Sequence, residues 1–169
     1  TGSYLIFAVC ALFNSCVFSD AQVVWLSTRN MDFTDCDREE RQVNEFAGIR
    51  NTCPFDVIYE QSDEQYVIVE GDEEYFGRLH TDVSKGILEI SIDPARYRNV
   101  RLRVKVGSPE ISHISMSGSG SIICKTDIET DGELTLKVSG SGDIYAENIG
   151  CDILESSVSG SGEIKVSYI

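Results

Sequence analysis

The stretches "SGSGSI" (117–122), "SGSGDI" (139–144) and "SGSGEI" (159–164) decide how this chain folds. Their first glycines, Gly118, Gly140 and Gly160, stand 22 and 20 residues apart. That interval holds two short strands with their turns, the unit of a stacked repeat. Matching offsets carry matching residues. Four places after the first glycine stand Ile122, Ile144 and Ile164, and six places after it Cys124, Ala146 and Val166. Two places before it stand Met116, Val138 and Val158. Apolar residues two apart share one face of a strand, so successive copies can bury that face together. Ser115, Lys137 and Ser157, one place further back, suit the outside. An antiparallel meander gives similar alternation; the near-constant interval favours a solenoid.

Glycine loops also bind ligands. A phosphate loop needs free backbone N–H groups leading into a helix, often with a lysine. Here β-like sequence follows, and Asp143 and Glu163 would repel phosphate. Calcium-binding β-rolls need a maintained Asp ladder, but the matching positions hold Ser121, Asp143 and Glu163. The structural reading remains: Gly118, Gly120, Gly140, Gly142, Gly160 and Gly162 make tight corners, adopting positive φ without steric cost. No cofactor or metal is expected.

Upstream, "FDVIYEQ", "YVIVEG", "ILEISID" and "VRLRVKV" are short alternating runs rich in Val, Ile and Tyr, the pattern of strands. "DEEYFGRLHT" is the one expected short helix, with Tyr75, Phe76 and Leu79 on one side. The expected fold is all-β: strands over 46–106 feed a solenoid over 107–169, after a poorly patterned acidic segment, 20–45.

The run "YLIFAVCALF" (4–13) is too short to span a bilayer as a helix but suits a signal-peptide core. Residues 1–19 therefore read as a leader. It is cleaved after "VFS" or, in the manner of a bacterial lipoprotein, before Cys16, which would carry lipid; a core strand is the remaining reading. Cys36, Cys53, Cys124 and Cys151 match no zinc or redox spacing. Export permits disulfides: Cys36 with Cys53 is the candidate pair, and Cys124 and Cys151 read as buried thiols.

The net charge of −14 argues against nucleic acid and against attraction to anionic membranes. Within that acidity, "RYRNVRLRVKV" collects Arg96, Arg98, Arg101, Arg103 and Lys105. Arg101, Arg103 and Lys105 share one strand face, a candidate contact for a polyanion or acidic glycan. The plainer reading pairs that face with Glu89 and Asp93 of "LEISID". His80 and His113 have no partnered nucleophile in sequence, and the acidic runs lack the spacing of a calcium loop.

"FAGIRNTCPFDVIYEQSDEQYVIVEG", "LHTDVSKGILEISI" and the Gly-Ser-Gly turns, in that order, resemble the head GIN domain family of auto-transporter adhesins from about Glu45 to Ile169. The resemblance implies a right-handed β-helix in an exported, often lipid-anchored adhesion protein of Gram-negative bacteria, without recognised catalytic residues. Family members continue past the third Gly-Ser-Gly, so the last coil would present an open edge: the chain is a fragment, or another molecule covers that edge. The expected function is a cell-surface or outer-membrane module, with the periplasm as the other address, binding a glycan or protein through a strand face. The membrane would be met only through the lipid anchor. A polysaccharide lyase or hydrolase is the alternative, as is a scaffold self-associating through its last coil.

Overall fold

Alternation of apolar and polar residues puts most of the chain into strands, which form two mixed sheets. The computed structural model describes residues 31–169 in full and, before them, only the backbone of β1 (Leu5–Ala8) and β2 (Cys16–Phe18). The expected leader, its cleavage points and lipid attachment at Cys16 lie outside the described side chains. The elements that follow are β3 (Asp37–Glu40), β4 (Gly48–Asn51), β5 (Asp56–Gln61), β6 (Tyr66–Gly71), a 3-10 helix (Glu73–Arg78), β7 (Leu79–Ser84) and β8 (Ile87–Ile92). After these come β9 (Leu102–Ser108), β10 (His113–Met116), β11 (Ser121–Cys124), β12 (Ile128–Glu129), β13 (Glu133–Val138), β14 (Asp143–Gly150), β15 (Ile153–Val158) and β16 (Ile164–Tyr168).

One sheet runs β1-β15-β13-β10-β4-β8-β7 and has seven strands. The other has nine, in the order β2-β16-β14-β11-β5-β9-β6-β3 with β12 beside β14. The chain crosses between sheets at the corners: β4 to β5, β10 to β11, β13 to β14 and β15 to β16. Each strand of such a pair lies parallel to its counterpart in the neighbouring pair. Antiparallel pairing enters only where hairpin strands close the other end, β7 on β8, β6 on β9 and β3 on β6.

The core is a set of columns running through this stack. Leu88, Ile49, Ile114 and Leu136 are adjacent in register on one sheet, and Val104, Val57, Ile122, Ile144 and Ile164 on the other. All are buried. At about 1.5–3 kcal/mol per fully buried aliphatic side chain, these columns are the main favourable term in folding.

The division drawn at Gly107 is not a boundary in space. β4 and β5 already form a corner-linked pair in register with β10 and β11, and β8 and β9 flank them on the other side. The early strands escape the repeat pattern because their corner reads "TCPF" (52–55) rather than "SGSG". There the buried Asn51 side chain holds the bend. Its Nδ2 donates to the Phe55 carbonyl at 3.0 Å, and its Oδ1 accepts from the Cys53 amide at 2.8 Å.

At the Gly-Ser-Gly stretches positive φ is not what calls for glycine. Among the described glycines that conformation belongs to Gly71, Gly86 and Gly132. At the corners the constraint is close approach. A Cβ on Gly120 would lie 2.1 Å from the Phe55 carbonyl oxygen, on Gly142 2.1 Å from that of Gly120, and on Gly162 1.9 Å from that of Gly142. Gly118, Gly140 and Gly160 repeat this, at 2.4, 2.3 and 2.1 Å from the carbonyl oxygens of Cys53, Gly118 and Gly140. Without side chains, successive corner backbones bond each other: Gly142 N to Gly118 O at 3.1 Å and Gly162 N to Gly140 O at 3.2 Å. At two of the corners the next residue adds a bond. Asp56 Oδ1 accepts from the Ser121 amide at 3.1 Å, and Asp143 Oδ1 from the Glu163 amide at 2.9 Å.

Three other expectations need revision or detail. Cys36 and Cys53 are free thiols; Cys36 donates to the Phe33 carbonyl, while Cys53 is sealed in the core. The expected helix is a single 3-10 stretch, with Phe76 and Leu79 buried and Tyr75 packed against the core. Part of the acidic segment, β3, is an edge strand of four exposed residues, Asp37 to Glu40, a charged edge that discourages further pairing.

Gly142→Ala should cost about 2 kcal/mol or more, because backbone must move to admit the methyl. Gly77→Ala, where a Cβ meets nothing within 4 Å, should be near neutral; thermal melts compare the two. Burial pushes the Cys53 and Cys124 thiols up to about 12. Among the four cysteines from Cys36 onward, an alkylating reagent at pH 8 should therefore label Cys36 first in the folded protein, with sites read by peptide mass.

Candidate functional site

On β9 the even positions Leu102, Val104 and Val106 enter the core, which turns Arg103 and Lys105 to the outer face of the nine-stranded sheet. β9 lies between β5 and β6. Its basic residues therefore meet partners other than Glu89 and Asp93, which belong to the β8 region of the opposite sheet and bind Arg50 at 2.9 Å and His80 at 2.8 Å. Arg101 is held by Asp72, whose carboxylate accepts from its amide at 2.9 Å, from Nη2 at 3.1 Å and from Nε at 3.2 Å. Arg103 Nε donates to Glu70 Oε2 at 2.6 Å, and the Phe33 ring covers its guanidinium at 4.1 Å.

Glu70 is the keystone of this edge. Its side chain is 2% exposed and takes Arg103 on one oxygen and Arg38 on the other at 3.1 Å, joining β9, β6 and β3. A carboxylate so desolvated is tolerable only because both oxygens are paired with cations.

Lys105 differs from its two neighbours: among the described residues it has no hydrogen-bonding or ionic partner. It stands in register between Ile58 and Ile68. Ile58 and the adjacent Ile123 point outward, outside the main core cluster, yet are 8% and 6% exposed. They floor a groove of about 340 Å³, walled by Met31, Phe33 and Phe55 and charged by Arg103, Lys105, Lys125, Asp56 and Glu60. That volume is at the small end of ligand sites. Beside the groove, Tyr66 donates to Glu60 Oε2 at 2.7 Å, reaching across Gly107. A Cβ on Gly107 would meet the Tyr66 ring at 2.2 Å, which accounts for the glycine. Burial, then the Glu60 carboxylate, push the Tyr66 hydroxyl well above its ordinary range.

The structure thus brings together Arg103 and Lys105 and turns Arg101 away toward Asp72. Sequence reasoning missed the wall and floor. The signal was there: "VI" at 57–58 and "II" at 122–123 break strict alternation, which marks an outward position that is also covered. Asp143 and Asp56 are committed to backbone amides of the next pair. Among the described residues, no group of three or more His, Cys, Asp or Glu is placed to hold a metal ion. No helix there is long and apolar enough to cross a membrane.

Removing the Glu70 charge leaves two guanidiniums without their anion. Glu70→Gln should destabilise by about 3 kcal/mol, whereas Glu89→Gln, in an exposed pair, should change stability by less than about 1 kcal/mol; denaturant unfolding distinguishes them.

Residues 45–167 match the family model described as "Putative auto-transporter adhesin, head GIN domain". Solved structures share the fold. A "putative adhesin" from Parabacteroides merdae superposes with a TM-score of 0.60 at 17% identity, over 71% of this chain and 52% of that one. A "putative lipid binding protein" from Parabacteroides distasonis gives 0.62 at 25% identity, over 80% and 67%. A "putative adhesin" from the same species gives 0.63 at 21% identity, over 78% and 65%. This chain therefore spans roughly half to two thirds of these proteins. No curated protein matches. With 45–167 covered by one model, the chain belongs to the head GIN domain family of auto-transporter adhesins.

Proposed function

We propose that this chain is an exported, cell-surface adhesin-like module that holds a glycan or protein ligand against the outer face of its nine-stranded sheet. The observation that carries this is Lys105, a cation without a partner among the described residues, beside two outward-facing covered isoleucines in a preformed groove. Arg101 and Arg103 shape the face rather than offer free charge. The family description supports the adhesive role. The parallel stacking of strand pairs supports reading 107–169 as part of a short right-handed parallel β-helix. The apolar run at 4–13 supports reading residues 1–19 as an export leader with Cys16 as its lipid-attachment point, a role that requires Leu5–Ala8 and Cys16–Phe18 to leave their places beside β15 and β16. We assign no catalysis.

One observation favours a second occupant. The groove floor is aliphatic, and the 25%-identical relative from Parabacteroides distasonis is named as lipid binding. An acyl chain over Ile58 and Ile123, its anionic head at Lys105, fits the same site.

A glycan, matrix-protein and fatty-acid binding screen on the full chain separates these readings, with Lys105→Glu as the variant. A ligand lost at least tenfold in Lys105→Glu, with an unchanged melting temperature, is the expected result. A fatty acid as that ligand favours the second occupant. A screen in which no bound ligand is weakened by Lys105→Glu, or in which the parent binds nothing, overturns the assignment.

A further inference from the structure

The opposite face, on the seven-stranded sheet, carries an arrangement that the groove does not use. Register places Ser157, Lys137, Ser115, Arg50 and Glu89 in one row across five strands, β15 to β8. Cations and hydroxyls alternate along the first four. Strands lie about 4.8 Å apart, so Lys137 and Arg50 stand roughly 10 Å from each other with Ser115 between them.

Three features of this row are unsatisfied. Lys137 is exposed and has no partner among the described residues. Ser115 is 7% exposed, and its Oγ has no hydrogen-bond partner among the described residues. Among the described residues Arg50 is held by Glu89 alone, at 2.9 Å, both side chains being more than 40% exposed, a pair of small and exchangeable strength. A buried hydroxyl left unpaired costs about 1–3 kcal/mol, so Ser115 between two cations is a donor awaiting an acceptor. One row away, His113 Nε2 is also buried and has no partner among the described residues. On the other side, Ser159, Ser139, Ser117 and Thr52 continue the register as a row of exposed residues carrying hydroxyls.

We propose that Lys137, Ser115 and Arg50 form a binding site for a linear acidic polysaccharide lying across the strands. Its carboxylate or sulfate groups, spaced on alternate sugars, meet the two cations. Ser115 donates to an anionic oxygen, and the neighbouring hydroxyl row bonds the sugar hydroxyls. The net charge of −14 repels every polyanion at long range, nucleic acid and acidic polysaccharide alike, so the hydroxyl row, which meets sugar hydroxyls, is what selects the polysaccharide. This site is independent of the groove at Lys105.

The test uses the full chain and three probes: a sulfated polysaccharide, a polyuronate and duplex DNA. Binding of at least one polysaccharide, weakening with salt and absent for DNA, is expected. Arg50→Ser with Lys137→Ser should weaken it at least tenfold, and Lys105→Glu should leave it unchanged. Ser115→Ala should weaken it severalfold without lowering the melting temperature, an outcome that a structural role would not give. Should the double variant fail to fold, Lys137→Ser alone, on an exposed side chain, should still weaken binding severalfold. No polysaccharide binding, equal binding by the Lys137→Ser variant, or DNA binding as tight as polysaccharide overturns the proposal.

Discussion

Everything in this fold depends on how closely one corner can lie over the next. A methyl group at any of the six corner glycines would sit within 2.4 Å of a carbonyl oxygen, closer than atoms tolerate. Its absence lets corner amides donate to the carbonyls beneath them, and that contact sets the separation at which both sheets pair in parallel. The core columns then follow, because equal spacing brings Ile122, Ile144 and Ile164 to the same depth. The rule is directional: each glycine corner must be glycine because it is laid on the corner before it, and the corner at 52–55 is the one on which the first of them rests. That is why the corner at 52–55 can hold cysteine, proline and phenylalanine, and why Asn51 holds that bend instead.

The same geometry sorts the charges. Basic residues near the hairpin end are mostly consumed by architecture: Arg101 by Asp72, and Arg103 and Arg38 by Glu70. Among the described residues, the cations the stack leaves unpaired include Lys105 on one outer face and Lys137 beside Ser115 on the other. A fold of regular rows offers a binding partner periodicity rather than a deep cavity, and such surfaces suit extended ligands.

The sequence made the repeated half legible because the glycine interval and the apolar offsets encode the same spacing twice. The earlier strands were harder. Asn51 replaces the glycine signature with a side-chain bond, and the return from β5 to β9 passes through the hairpin strands β6, β7 and β8, so no interval recurs. The partners of the basic strand were misread for that reason: charge pattern alone cannot tell β6 from β8 as its neighbour. Glycine's positive φ was the wrong mechanism at the corners, since close approach between distant segments leaves no trace in local sequence. The groove was half visible, in the doubled apolar pairs at 57–58 and 122–123, whereas Met31 and Phe33 come from a stretch with no periodicity to place them.

Amide hydrogen exchange at the corners tests the central claim most directly. Ser141 and Ser161 are exposed residues in bends, and their amides donate to Gly118 O at 3.2 Å and Gly140 O at 3.1 Å. If corner-to-corner bonding holds the stack, these two amides and those of Gly142 and Gly162 exchange as slowly as the core amides of β13 and β14. Exchange at the rate of an open surface loop, with the strands still protected, would contradict it.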